Sequence, residues 1–218
     1  MRTFARGGVH PPENKLSAEC RIRDLGIPRS VILPLGQHLG APAKPVVNRG
    51  DTVKTGQLIA KSDGFVSSQV HASVSGKIAR IDEVVDASGY KRPAIYIDAE
   101  GDEWLEGIDR DPALVTDIRL SAGEILQRIG EMGIVGLGGA TFPTQVKLSV
   151  PRGKKAEYLI INGVECEPYL TSDHALMLEK GDAIMVGIQI LKKALAVEKA
   201  IIAIENNKTD PNRHLSLL

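Results

Sequence analysis

Several things that usually give a sequence away are scarce here. There are two cysteines in 218 residues, Cys20 and Cys166, far apart along the chain. Two cannot hold a metal or an iron–sulfur cluster alone, and they do not make a disulfide framework. Reduced thiols are the expected state. An excess of one charge is also missing: Lys+Arg 27 balance Asp+Glu 27, for a net charge of +0. That excludes a nucleic-acid binder working by bulk electrostatics. The longest apolar stretch, 183–197 (AIMVGIQILKKALAV), is broken by Lys192 and Lys193. It falls short of the ~20 residues that cross a bilayer. The N-terminus, MRTFARGGVHPPENK, has no apolar core and is not a signal peptide. The chain is expected to be soluble, with any membrane role peripheral or borrowed from partners. Aromatic residues are only 4% and are expected, with the methionines, as ordinary core. His10, His38, His71, His174 and His214 show no metal-ligand spacing, and no Ser/His/Asp arrangement stands out, so no catalytic residue is assigned.

What is present is ordinary globular material, 43% hydrophobic and 25% charged. The length suits one large domain or two small ones. Six of the twelve prolines fall within the first 45 residues, which predicts an extended arm and loops. From 31 to 98 the pattern becomes short alternating runs punctuated by Gly, Ser and Asp, the mark of a compact all-β unit. Val46, Val53, Ile59, Val74, Ile78 and Ile97 are its expected core. GDTV at 50–53 and SGKI at 75–78 look like turns entering equivalent strands. Residues 98–111 carry seven acids against one Arg and read as a solvated linker.

Beyond the linker the period changes. Ser121 and Glu124 form an S-x-x-E capping box, opening a helix through about Met132. Residues 158–161 (YLII) and 200–204 (AIIAI) read as buried strands. Between them Asp182 caps a helix with Ile184, Ile188, Leu191 and Leu195 on one face. Strand, helix, strand with apolar strands predicts a parallel sheet.

Two loops carry the chemistry. In GIVGLGGATFPTQVK, 133–147, Gly136, Gly138 and Gly139 let backbone approach a ligand, and Thr141, Pro143 and Thr144 begin a short helix. Free N–H groups at that start, with Lys147 about one turn on, would cradle a phosphate. It is neither a Walker A loop nor the dinucleotide fingerprint, and a tight connection between helices is the rival reading. The second loop, NGVECEP at 162–168, follows a strand at the carboxyl edge of the sheet, where ligands bind. Asn162 could hydrogen-bond a planar heterocycle, and Glu165 and Glu167 could orient a charged cofactor or accept ribose hydroxyls. A plain turn with surface carboxylates is the alternative. Cys166, between two glutamates, is a poor nucleophile.

GGVHPPENK at 7–15, LPLGQHLGAPAKPVV at 33–47, GLGGATFPTQVKL at 136–148 and INGVECEPYLTSDHALM at 161–177 together resemble the C subunit of the Rnf electron-transport complex. The resemblance runs from about Phe4 to about Lys208, leaving the final PNRHLSLL outside it. A more distant similarity ties the second half to the flavoprotein subunit of respiratory complex I, with loops GxGGxGFPTxxK and NxxExEP. Gly136, Gly138, Gly139, Phe142, Pro143, Thr144 and Lys147 match the first of these, and Asn162, Glu165, Glu167 and Pro168 the second. Leu137, Thr141 and Val164 depart from that family's Arg, Gly and Asp.

The resemblance implies an α+β multi-domain chain: an N-terminal lipoyl-like barrel-sandwich hybrid, then an α/β domain with a partly parallel, Rossmann-like sheet. Its expected divisions are an arm at 1–30, the β domain at 31–98, an acidic linker at 99–118 and a truncated flavin/NADH-binding domain at 119–218. It implies FMN held by the Gly loop and Lys147, Asn162 facing the flavin, and NAD(H) near the glutamates. Ser67, Ser68 and Gln69 replace the hairpin lysine that carries lipoyl or biotin. Two 4Fe-4S clusters belong to the family's C-terminal part. The implied function is that of the N-terminal part of an oxidoreductase and ion translocase passing electrons between NAD(H), FMN and iron–sulfur clusters, coupled to ferredoxin. The implied partners are the other subunits of a complex on the cytoplasmic side of the bacterial inner membrane. This stretch alone is expected to be inactive and to bind FMN poorly. The rival readings are the related NADH-oxidising family of the sodium-pumping NADH–quinone reductase (its A subunit) and a non-catalytic scaffold.

Overall fold

The computed structural model describes residues 11–137 and 139–218. Gly138, and the GGVH of the first motif at 7–10, lie outside the described residues. The chain forms two compact units. One gathers the N-terminal segment through Asp24 with Glu157–Lys192 and Val197–Leu218; the other gathers Leu25–Ala156 with Lys193–Ala196.

The second of these units is built on two antiparallel sheets. Strands β1 (Ser30–Pro34), β3 (Thr52–Val53), β6 (Gly76–Val85) and β7 (Lys91–Ala99) form one, in the order β1-β7-β6-β3. Strands β2 (Lys44–Pro45), β4 (Leu58–Lys61) and β5 (Val70–His71) form the other, in the order β2-β4-β5. Period-two alternation turns their branched side chains inward, so that Val53, Ile59, Ile78, Ile95 and Ile97 are almost wholly buried in one aliphatic core. The two turn-and-strand segments that look equivalent in sequence pair with each other, Thr52 opposite Lys77 and Val53 opposite Gly76.

Two expectations need correction here. Val46 is exposed and Val47 is buried. A slip of one residue moves a side chain to the other face of a sheet, and β2 ends at Pro45, too short to fix the alternation. Among the described residues the aromatic side chains are not core either. Phe65, Tyr90, Tyr158 and Tyr169 are exposed, and Arg80 and Arg110 lie over the rings of Tyr96 and Trp104 at 3.9 and 4.7 Å from the centroids. The core is filled by Val, Ile, Leu and Ala instead.

The acidic segment keeps its side chains in solvent, yet its backbone is tied down. Thr55 N–H donates to the Glu103 carbonyl, Leu105 N–H donates to the Thr55 carbonyl, and Ser75 Oγ donates to the Glu100 carbonyl. The backbone of this solvated charge run thus runs along the edge of the β unit.

Helix α1 (Ala122–Glu131) starts where the capping box puts it. Ser121 Oγ accepts from Glu124 N–H, and Glu124 takes the Ser121 N–H in return. Ile125 and Ile129, one turn apart, are its buried face. Gly133 follows the helix with φ +66°, and a Cβ there would collide with the Gln69 carbonyl. The barrel turn at 67–69 thus packs against the end of α1, with Ser67 and Ser68 buried and Ser68 N–H donating to His38 Nε2.

In the other unit, β8 (Tyr158–Asn162) and β9 (Lys199–Ala203) pair in parallel and in register, the two parallel strands among the described residues. Their companions are α3 (Ser172–Glu179), α5 (Thr209–Leu215) and most of α4 (Gly181–Leu195). The expectation of fully buried strands is corrected. Leu159 is buried, but Tyr158, Ile160 and Ile201 are exposed, because this two-stranded sheet has one face covered. Asp182 lies within the first turn of α4 and not ahead of it, where its charge still complements the helix dipole.

Candidate functional site

The Gly-rich segment forms a small hairpin. Val135 and Pro143 make an antiparallel bridge, Gly136 N–H donates to the Phe142 carbonyl at 3.0 Å, and Thr144 N–H donates to the Ile134 carbonyl at 2.9 Å. Pro143 then leads into α2 (Thr144–Leu148), whose side chain at Lys147 folds back over the hairpin. A Cβ on Gly136 would press on Lys147 Nζ, the free end of a flexible side chain. The glycine lets the ammonium rest against the hairpin backbone. No carboxylate among the described residues lies within ion-pair distance of Lys147, which is exposed, as is Gly139.

The row of free N–H groups expected at the start of this helix is only partly there. Thr144 N–H is spent on Ile134, while Val146 and Lys147 N–H both turn to the Pro143 carbonyl. What the loop offers an anion is chiefly the Lys147 charge, placed over a glycine backbone. Phe142 and Thr144 are half-buried at the base of the hairpin, and Pro143 is buried beneath them.

The second loop is held from two sides. Asn162, at the end of β8, accepts the Val164 N–H on Oδ1 at 3.1 Å and is exposed. Glu165 turns inward and is 2% exposed. Its carboxylate accepts from Lys208 Nζ at 2.8 Å, from Asp173 N–H at 2.8 Å, from Ser172 Oγ at 3.1 Å and from His174 N–H at 3.3 Å. Three of those donors belong to the first turn of α3, so Glu165 caps that helix and neutralises Lys208. Burial opposes its ionisation, but the hydrogen bonds from Lys208 and Asp173, the Lys208 charge and the His174 N–H outweigh it and lower its pKa to about 2. Asp173 next to it is raised, by burial first and then by the Glu165 charge. Glu205 Oε2 lies 3.7 Å from the same ammonium and has no hydrogen-bond partner among the described residues.

Glu167 and Cys166 face solvent. Their backbone is gripped by Lys15, whose ammonium donates to the carbonyls of Glu165, Glu167 and Leu170 at 2.7, 2.8 and 2.8 Å. Within this unit Asn162, Glu165 and Glu167 thus share one loop, with Glu165 serving the loop's own structure and Asn162 and Glu167 exposed. Gly136, Gly139, Phe142, Thr144 and Lys147 share the hairpin of the other unit. Lys15 and Lys208 escaped the sequence reading because their partners are 150 and 43 positions away. The one signal available was that Lys15 closes the GGVHPPENK motif.

Among the described residues no group of three or more His, Cys, Asp or Glu could hold a metal ion, and no helix is long and apolar enough to cross a membrane.

The sheets define a double-sheet β unit and a two-stranded parallel sheet with helices, and protein-family comparisons match both parts of the chain. Residues 3–102 match the RnfC barrel sandwich hybrid domain, and residues 129–217 match the Nuo51 FMN-binding domain. The second match passes Lys208, so the expectation that PNRHLSLL stands outside the family pattern is corrected. Over 210 residues the chain is 51% identical to the C subunit of the proton-translocating ferredoxin:NAD(+) oxidoreductase complex of Clostridium ljungdahlii, covering 95% of this chain and 45% of that protein. It is 43% identical over 206 residues to the Na(+)-translocating counterpart of Acetobacterium woodii, covering 94% of this chain and 46% of that one. It is 44% identical over 213 residues to the C subunit of the ion-translocating oxidoreductase complex of Rhodobacter capsulatus, covering 95% and 40%. The chain thus carries an RnfC barrel sandwich hybrid domain and a Nuo51 FMN-binding domain, and it spans less than half the length of these relatives.

Proposed function

We propose that this chain is the N-terminal part of an NADH-linked oxidoreductase and translocase subunit, passing electrons between NAD(H), FMN and iron–sulfur clusters in exchange with ferredoxin. The observation that carries the reading is the hairpin at 134–144, inside the stretch matched by the FMN-binding domain, where Gly136 leaves room for the Lys147 ammonium. The hairpin suits the phosphate of FMN, a cation over glycine backbone with Phe142 and Thr144 beside it. The exposed Asn162 amide has a donor to offer a heterocycle, and Glu167 in the same loop would serve the nicotinamide. Glu165 would act there by holding the loop. FMN, when bound, supplies the conversion of a two-electron hydride into single electrons.

On this reading the function divides along the chain as an arm at 1–30, a barrel at 31–98, an acidic connection at 99–118 and a flavin domain with a Rossmann-like sheet at 119–218. The clusters would be ligated by cysteines outside these 218 residues. The partners would be the other subunits of a membrane complex, and the site would face the cytoplasm. The test is anaerobic addition of NADH to the purified full-length protein. Bleaching of a bound flavin's absorbance is expected; flavin-free protein, or a flavin that stays oxidised, would contradict the reading.

A further inference from the structure

The motif ending at Lys15 has no task in the reading above, which concerns loops far down the chain. Its described part lies along the loop that follows β8. Lys15 Nζ meets three carbonyl oxygens, of Glu165, Glu167 and Leu170, and so places all three of its donors on one loop. Just before it in the chain, the Glu13 carbonyl accepts Tyr169 N–H at 2.9 Å, and Glu13 Oε1 accepts from Asn207 Nδ2 at 3.1 Å. Further on, Ser17 Oγ meets Thr171 Oγ1 at 2.7 Å, and Ile22 N–H donates to Glu179 at 2.9 Å. The gripped loop contains Tyr169 at φ +70°, a left-handed conformation costly for a residue with a bulky side chain. Tyr169 is the residue whose N–H the arm takes.

We infer that the segment 13–22 is a strap that fixes the loop at 162–170, and that Lys15 is the positioning residue through which the N-terminal motif sets the flavin-facing backbone. Glu165 is then held at both ends, its carbonyl by Lys15 and its carboxylate by Lys208. An ammonium can converge on three carbonyls, because its donors radiate from one atom. A guanidinium presents a planar fork and cannot reproduce that arrangement. The role is therefore specific to lysine and not to positive charge. This inference rests on the flavin reading only for its second half, the effect on the cofactor.

The experiment compares the full-length protein with its Lys15→Met and Lys15→Arg variants by hydrogen exchange and by flavin binding, with Lys147→Ala as the control for the flavin reading. Both Lys15 variants are expected to speed exchange of the amides at 163–171 by at least roughly tenfold, while the barrel amides keep their protection. Both are also expected to weaken FMN by roughly tenfold and to change the visible circular dichroism of the flavin that remains bound. Unchanged exchange at 163–171 overturns the strap. Faster exchange with unaltered FMN affinity and flavin dichroism overturns the positioning role, since a merely structural contact would do just that. Full rescue by Lys15→Arg also overturns it. If the parent binds no FMN, the flavin reading fails, and the exchange data still decide the strap.

Discussion

Glu165 and Glu167 stand two positions apart and live in opposite surroundings, one buried against Lys208 and the start of α3, the other in solvent. Sequence alone offers both as cofactor contacts, because nothing local distinguishes them. The distinction comes from Lys208, 43 residues on, and from the fold that brings it back. Removing the Glu165 charge leaves Lys208 with only Glu205, at 3.7 Å, among the described residues, so Glu165→Gln should destabilise the protein by about 3 kcal/mol in urea unfolding, the low end for a broken buried pair. A loss under about 1 kcal/mol, the worth of a surface pair, would contradict the assignment. The pH dependence follows from the same group. Its folded pKa of about 2 lies below the ordinary 4.5, so its stabilisation is complete above 4.5 and is lost as pH falls towards about 2. That shift corresponds to roughly 3 kcal/mol. The stability difference between parent and Glu165→Gln should therefore shrink across this acid window, and a constant difference would remove Glu165 as its source.

At the scale of elements, what was legible followed the range of the interactions involved. Helix α1 could be placed to within a residue because its capping box is a contact over three positions. Ser121→Ala should cost about 1 kcal/mol and fray the first turn, read as faster amide exchange at 122–125. Unaltered exchange there would mean that packing of Ile125 and Ile129 fixes the helix start unaided. The barrel strands were also legible, since branched residues at period two are a local pattern, and Val53, Ile59, Val74, Ile78 and Ile97 are all buried as expected. Val46 was misplaced where the strand is shortest. The acidic stretch is solvated as expected, and its sequence hides only the pairing of its backbone. Exposed carboxylates say nothing about the carbonyl and N–H groups beneath them, and it is those groups that Thr55 and Ser75 engage. Lys15 illustrates the limit most clearly, since a bond to backbone carbonyls leaves no mark on the identity of its partner residues.

For the whole molecule, the proposed function turns on the hairpin carrying Gly136 and Lys147, inside the stretch matched by the FMN-binding domain. The electron-transfer account depends on FMN being held there, with this lysine as its phosphate's counter-charge. Losing a hydrogen bond to a charged group costs about 1.5–3 kcal/mol, so Lys147→Ala should weaken FMN by roughly ten- to a hundredfold. The decisive measurement is a fluorescence titration of free FMN against the full-length protein and its Lys147→Ala variant at matched ionic strength. The account predicts saturable binding by the parent and a midpoint displaced by that factor in the variant; equal midpoints would take Lys147 out of the site and contradict it.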